Sequence, residues 1–137
     1  MSGDPRGIVL VVEDDRNIRE VICEALSGEG LRVAEAGDGE EAVRIARERR
    51  PAAILLDMGL PLLDGAAVFD RIREMYEEPI PFIVVTAGGR ADEISRIRPL
   101  AQITKPFNVA DLVAVVTQAL APAKAAPNGA SPQPAQS

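Results

Sequence analysis

The 137-residue chain has no histidine and no tryptophan, a single cysteine (Cys23), three phenylalanines and one tyrosine. Each absence closes a class of chemistry. One cysteine cannot form an internal disulfide. Without histidine, the Cys/His zinc sites, the Ser/His and Cys/His nucleophile pairs and an internal phosphohistidine are excluded. Positive charge is also short, with 15 basic against 21 acidic side chains and a net charge of −6. A surface of that sign is unsuited to the phosphates of a nucleic acid or to anionic lipid, so neither nucleic acid nor membrane is expected as a partner. No apolar run reaches the roughly 18 residues of a membrane span, and Met1 to Arg6 lack the hydrophobic core of a signal peptide. A cytoplasmic location is expected. With 47% hydrophobic residues the chain can bury one ordinary core, and its chemistry must run on carboxylates, lysine and hydroxyls.

From Ile8 to Leu120 short apolar runs alternate with amphipathic segments five times, the pattern of a parallel sheet crossed by helices. Ile8 to Val12, Ala52 to Leu56 and Phe82 to Val85 are continuously apolar and suit strands buried on both faces. Leu31 to Ala34 and Ala101 to Thr104 alternate and suit sheet edges. Right-handed crossovers then give the strand order 2-1-3-4-5, a flavodoxin-like, doubly wound (βα)5 fold of the α/β class.

The first helix is expected to lay Ile18, Val21, Ile22, Ala25 and Leu26 on the sheet, ending at Gly28 and Gly30. Asp38 and Glu41 form a capping-box-like start for the second, which Pro51 stops. The third is expected from about Gly65 to Tyr76. The fourth, between Ala87 and Leu100, has only Ile94 and Ile97 as a stripe and can hold two or three turns. Asn108 caps the fifth. Residues 1–6 are expected to be flexible. Residues 121–137, rich in Ala and Pro with no larger aliphatic side chain, are expected to form a disordered tail.

Ligands of such sheets bind beyond the carboxyl ends of the strands. There the chain presents Glu13-Asp14-Asp15, Asp57, Thr86 and Lys105-Pro106. The first and third strands are neighbours at about 4.8 Å, so Glu13, Asp14 and Asp57 would crowd together and repel. A bound hard divalent cation relieves this, Mg²⁺ ahead of Ca²⁺ where few carboxylates leave positions open. Lys105 adds a mobile positive charge and Thr86 a hydroxyl donor. The set suits a phosphoryl group carried on a carboxylate, with Asp57 the natural nucleophile.

These residues lie in Val11-Val12-Glu13-Asp14-Asp15, in Leu55-Leu56-Asp57-Met58-Gly59-Leu60-Pro61 continuing to Asp64-Gly65, in Val85-Thr86-Ala87 and in Thr104-Lys105-Pro106-Phe107. In these motifs and their spacing the chain resembles the receiver domains of two-component response regulators over residues 7–120; a stand-alone receiver is expected, since residues 121–137 are too few for an output domain, although their composition would also suit a linker to a further domain. The resemblance implies phosphorylation of Asp57 by a partner phosphohistidine, on a histidine kinase or a histidine phosphotransfer protein. It implies Mg²⁺ held by Asp14, Asp57 and the Gly59 carbonyl, with Glu13 reaching it through water. Thr86, Ala87 and Lys105 would hold the phosphoryl group, and Lys105-Pro106 would be a cis bond. Such a domain supports its own phosphorylation and dephosphorylation without being a classical enzyme. Its output would be a changed surface on the fourth helix, fifth strand and fifth helix, read by a downstream protein.

The chain departs from that pattern at three places. The position three before the lysine, usually aromatic, is Gln102; the stretch from Thr86 to Lys105 is shorter than is common; and the positions two after Asp57 and two after Thr86 are Gly59 and Gly88. The glycines suggest open access of water to an aspartyl phosphate. Gln102 keeps a second reading in view, a receiver-like interaction module whose binding does not depend on phosphorylation. A flavin carrier would need a hydroxyl- and glycine-rich loop after the first strand, where this chain has acids. A haloacid-type phosphatase would need Asp-x-Asp where it has Asp57-Met58-Gly59.

Overall fold

The computed structural model describes residues 7–61 and 63–120; the flexible N-terminus and the tail expected from the sequence lie outside them. Five strands and five helices alternate: β1 (Ile8–Val12), α1 (Arg16–Gly28), β2 (Arg32–Ala36), α2 (Gly39–Glu48), β3 (Ala53–Asp57), α3 (Gly65–Arg73), β4 (Phe82–Thr86), α4 (Ala91–Ile97), β5 (Ala101–Thr104) and α5 (Val109–Ala119). The sheet is parallel throughout, in the order β2-β1-β3-β4-β5 expected from the sequence. β3 and β4 are buried along their whole length, whereas β5 alternates and β2 is fully buried only at Ala36, because only an edge strand keeps a face in water.

The sheet divides the core in two. Leu10, Ile54, Leu56 and Val84 pack with α2, α3 and α4 through Val43, Phe69, Ile72, Ile94 and Ile97. Val9, Val11, Leu55, Ile83 and Ile103 pack with α1 and α5 through Ile22, Leu26, Leu112 and Val116. Local signals set the helix starts: Asp15, Asp38, Asp64 and Asn108 each accept a first-turn amide. Glu41 reaches back past the cap to the Gly37 amide at 2.8 Å.

Two expectations need correction. The buried stripe of α1 is Ile22, Cys23 and Leu26, while Ile18 is 36% and Val21 48% exposed. Periodicity places the apolar residues on one face, but toward the N-terminal end of α1 that face lines an open groove and stays exposed. α3 stops at Arg73 instead of running to Tyr76. The last turn tightens there, the Met75 amide donating to the Ile72 carbonyl at 3.0 Å, and beyond it the Tyr76 hydroxyl donates to the Ala46 carbonyl of α2 at 2.5 Å. The fourth helix is the two turns expected, starts at Arg90 without a side-chain cap, and ends on Arg98 in the left-handed region at φ 54°.

Candidate functional site

Every strand but β2 sends its carboxyl end to the same place. Asp57, the last residue of β3, is 3% exposed; its Oδ1 accepts the Gly59 amide at 2.9 Å and its Oδ2 accepts Lys105 Nζ at 3.1 Å. Glu13, just past β1, is also buried, and its Oε2 accepts the Asp15 amide at 3.0 Å. Asp14 is exposed and carries no hydrogen bond or ion pair of its own among the described residues. One carboxylate oxygen from each of Glu13, Asp14 and Asp57 lies within 4.8 Å of the other two.

Parallel pairing produces this convergence. Val12 is level with Leu56, and Thr86 with Thr104, so the residues that follow emerge together at one rim. Backbone bonds seal the rim: the Met58 amide donates to the Val85 carbonyl at 2.9 Å and the Lys105 amide to the Thr86 carbonyl at 2.8 Å. Thr86 is buried, and its Oγ1 accepts the Gly88 amide at 2.9 Å, which leaves its hydroxyl hydrogen to donate. Gly88 holds φ 106° and Gly89 φ 80°, so the turn after β4 uses a backbone form that L side chains avoid. Gly59 has no such constraint, and a Cβ there would meet only Asp57 Oδ1, at 3.6 Å. Lys105-Pro106 is cis. Ala87 is exposed beside Lys105, and Gln102 is exposed on the edge strand.

The electrostatics leave the rim short of positive charge. Burial is the main cause that pushes the Glu13 carboxyl up to about 7, with the neighbouring Asp57 carboxylate adding to it. The amide of Asp15 and the ammonium of Lys105 oppose the shift without cancelling it. Three hard oxygen donors facing one point, with one lysine between them, fit a small divalent cation.

The structure thus brings together Glu13, Asp14, Asp57, Gly59, Thr86, Ala87 and Lys105, and leaves Gln102 apart. It adds two features that sequence reasoning missed. Arg19 reaches back from α1 to the Glu13 carbonyl. Exposed Ile18 and Val21 line, together with Ala87, Lys105, Pro106 and Phe107, a groove of about 690 Å³ that opens beside Lys105.

The response regulator receiver domain model matches residues 9–117. The transcriptional regulatory protein PrrA of Mycobacterium bovis is 40% identical over 111 residues, 79% of this chain and 47% of that protein. Sporulation initiation phosphotransferase F of Bacillus subtilis is 33% identical over 107 residues, 76% of this chain and 86% of that protein. The receiver domain of sensor histidine kinase PA1611 from Pseudomonas aeruginosa PAO1, with a magnesium ion coordinated in its active site cleft, superposes with a TM-score of 0.73 at 30% identity. That alignment covers 88% of this chain and 100% of that one. The chain spans about half the length of several curated relatives that it matches, PrrA among them. Since the family match runs from the second residue of β1 to the last turn of α5, across every element of the fold, the chain belongs to the response regulator receiver domains.

Proposed function

We propose that Asp57 is a phosphoacceptor, charged by a phosphohistidine on a partner protein. The observation that carries this reading is the Asp57 carboxylate itself: buried, bonded to Lys105 on one oxygen and to the Gly59 amide on the other, and facing two further acids. In the transfer an Asp57 oxygen forms a bond to phosphorus as the P–N bond to the donor imidazole breaks, and the imidazole nitrogen leaves with the bonding pair and takes up a proton. None of these 137 residues is a histidine, so the donor imidazole lies outside them.

Glu13, Asp14, Asp57 and the Gly59 carbonyl would hold Mg²⁺, whose chemistry there is to neutralise the charge on the phosphoryl oxygens. Lys105 bonds Asp57 before transfer and is free to follow the phosphoryl oxygen after it. The Thr86 hydroxyl hydrogen supplies a neutral donor for a second oxygen. The magnesium of the PA1611 receiver and the phosphotransferase name of the Bacillus relative support this assignment. So does the apolar groove at Ile18, Val21 and Phe107, which gives the donor protein a surface within reach of Lys105. The acid surplus favours a protein partner over a nucleic acid. We read the phosphorylated state as altering the α4, β5 and α5 surface through Thr86, by a route without an aromatic side chain at Gln102.

The test is incubation of the full chain with Mg²⁺ and acetyl phosphate, read by intact mass, with beryllofluoride binding followed by backbone amide shifts. One phosphoryl group is expected on the wild type and none on Asp57→Asn, with shifts at Thr86 and on β5. An unmodified wild type would remove the phosphoacceptor reading. Modification without any response at Thr86 or beyond would favour the phosphorylation-independent interaction module, the reading that exposed Gln102 keeps open.

A further inference from the structure

The Asp14 carboxylate lies close to those of Glu13 and Asp57, yet among the described residues no side chain or amide holds it there. Its direction is therefore set by the backbone of the loop between β1 and α1, and above all by the peptide that joins Glu13 to Asp14. The carbonyl of that peptide accepts Arg19 Nη1 at 2.8 Å. The same guanidinium donates through Nε to Glu35 Oε1 on β2 at 3.1 Å, and the Arg19 side chain is only 16% exposed. One planar fork thus ties the acidic loop to the adjacent edge strand from beneath. Opposite it stands Gly37, where a Cβ would lie 3.1 Å from Nη1. Glu35 is about half exposed, so as an ion pair the contact to β2 contributes little to folding. The bond to the Glu13 carbonyl has a more specific consequence, since rotating that peptide would swing Asp14 away and release the Glu13 carboxylate from the Asp15 amide.

We propose that Arg19 is a positioning residue that sets the metal affinity of the acidic rim by fixing the Glu13–Asp14 peptide. This rests on the reading of Glu13, Asp14 and Asp57 as the Mg²⁺-holding set. Arg19 touches neither the ion nor the phosphoryl group. It acts as the outer hydrogen-bond partners of metal ligands do, by removing alternatives to the binding geometry, and removal of such a partner weakens affinity by about 10- to 100-fold. Lysine at this position has a single point of attachment in place of the fork and would hold the carbonyl or Glu35, but not both.

The experiment compares wild type, Arg19→Gln, Arg19→Lys and, as a core-packing control on the same helix, Ile22→Val. Mg²⁺ dissociation constants are measured by calorimetry well below each Tm, and hydrogen exchange of the Asp15 amide is measured in EDTA. Arg19→Gln is expected to weaken Mg²⁺ binding by about tenfold or more and to speed Asp15 exchange by a similar factor. Arg19→Lys should fall between it and wild type, and Ile22→Val should lower Tm while leaving both readouts in place. The proposal is overturned if Arg19→Gln lowers Tm but keeps its Mg²⁺ affinity within twofold of wild type, or if Arg19→Lys restores the wild-type value in full. A wild type that binds no Mg²⁺ would instead retire the reading of the rim itself, and the positioning role with it.

Discussion

Replacing Glu13 by glutamine is expected to stabilise the metal-free protein at neutral and alkaline pH while impairing it as a metal binder. Glu13 is 4% exposed, and its folded-state pKa of about 7 stands above an ordinary value of 4.5. Between those two values the folded state holds a proton that the unfolded chain has released. Stability therefore falls as pH rises through that window and stays low above it. A difference of this size corresponds to a penalty of the order of 3 kcal/mol at pH 8, about 12 °C in Tm for a domain of this length. Glutamine is nearly isosteric and can still accept the Asp15 amide, so it removes the ionisation cost and little else. Urea unfolding of both proteins in EDTA at half-unit steps from pH 4.5 to 8.5 measures the effect. The two curves should lie close together at the acid end and diverge by a few kcal/mol by pH 8, with glutamine the more stable. Adding Mg²⁺ should narrow or reverse the gap, because the cation offsets the charge that burial penalises. Parallel curves in EDTA across the whole range would refute the argument.

Three further outcomes follow from the same geometry. Lys105→Met leaves the buried Asp57 carboxylate without its 3.1 Å partner and should cost about 2–3 kcal/mol in EDTA, most of it recovered in Mg²⁺; an unchanged urea midpoint would count against the pair. Gly59→Asn places a side chain in open space beside Asp57 Oδ1 and should change the decay rate of the phosphorylated chain at least threefold, measured by mass against time, whereas no change would dismiss water access as the control. It is a cleaner probe than substitution at Gly88, where φ 106° would add backbone strain. The Cys23 thiol is buried, and burial pushes it up to about 12, so iodoacetamide at pH 8 should label the native protein at least about 100-fold more slowly than the urea-unfolded chain; rapid native labelling would mean that α1 is not seated as described.

Legibility in the sequence followed the range of the physics. Strand order and the convergence of Glu13, Asp14, Asp57, Thr86 and Lys105 depend on hydrophobic runs and on the residue that ends each one, and both are local. The extent to which the α1 stripe is buried is not legible, because periodicity identifies an apolar face without saying what covers it: Ile22 and Leu26 meet the sheet, but Ile18 and Val21 face Pro106 and Phe107 across an open groove. Arg19 left no local signal, because its value lies in the register that brings Glu35 of β2 level with Val11 of β1. The apolar spacing of Phe69, Ile72, Met75 and Tyr76 runs on past the end of α3, so it does not mark where the backbone tightens into the Met75-to-Ile72 turn.

The lone tyrosine has a practical consequence. Tyr76 is tied to the Ala46 carbonyl, with the Arg50 guanidinium 5.5 Å from its ring centroid, on the α2 and α3 side of the sheet. In a chain without tryptophan it is the sole strong intrinsic fluorophore, and it does not line the acidic rim. Its emission therefore gives a built-in distant reporter: a ligand that only fills the rim should leave the signal flat, and a change in intensity would mark a rearrangement carried through β3 into the helical layer behind it.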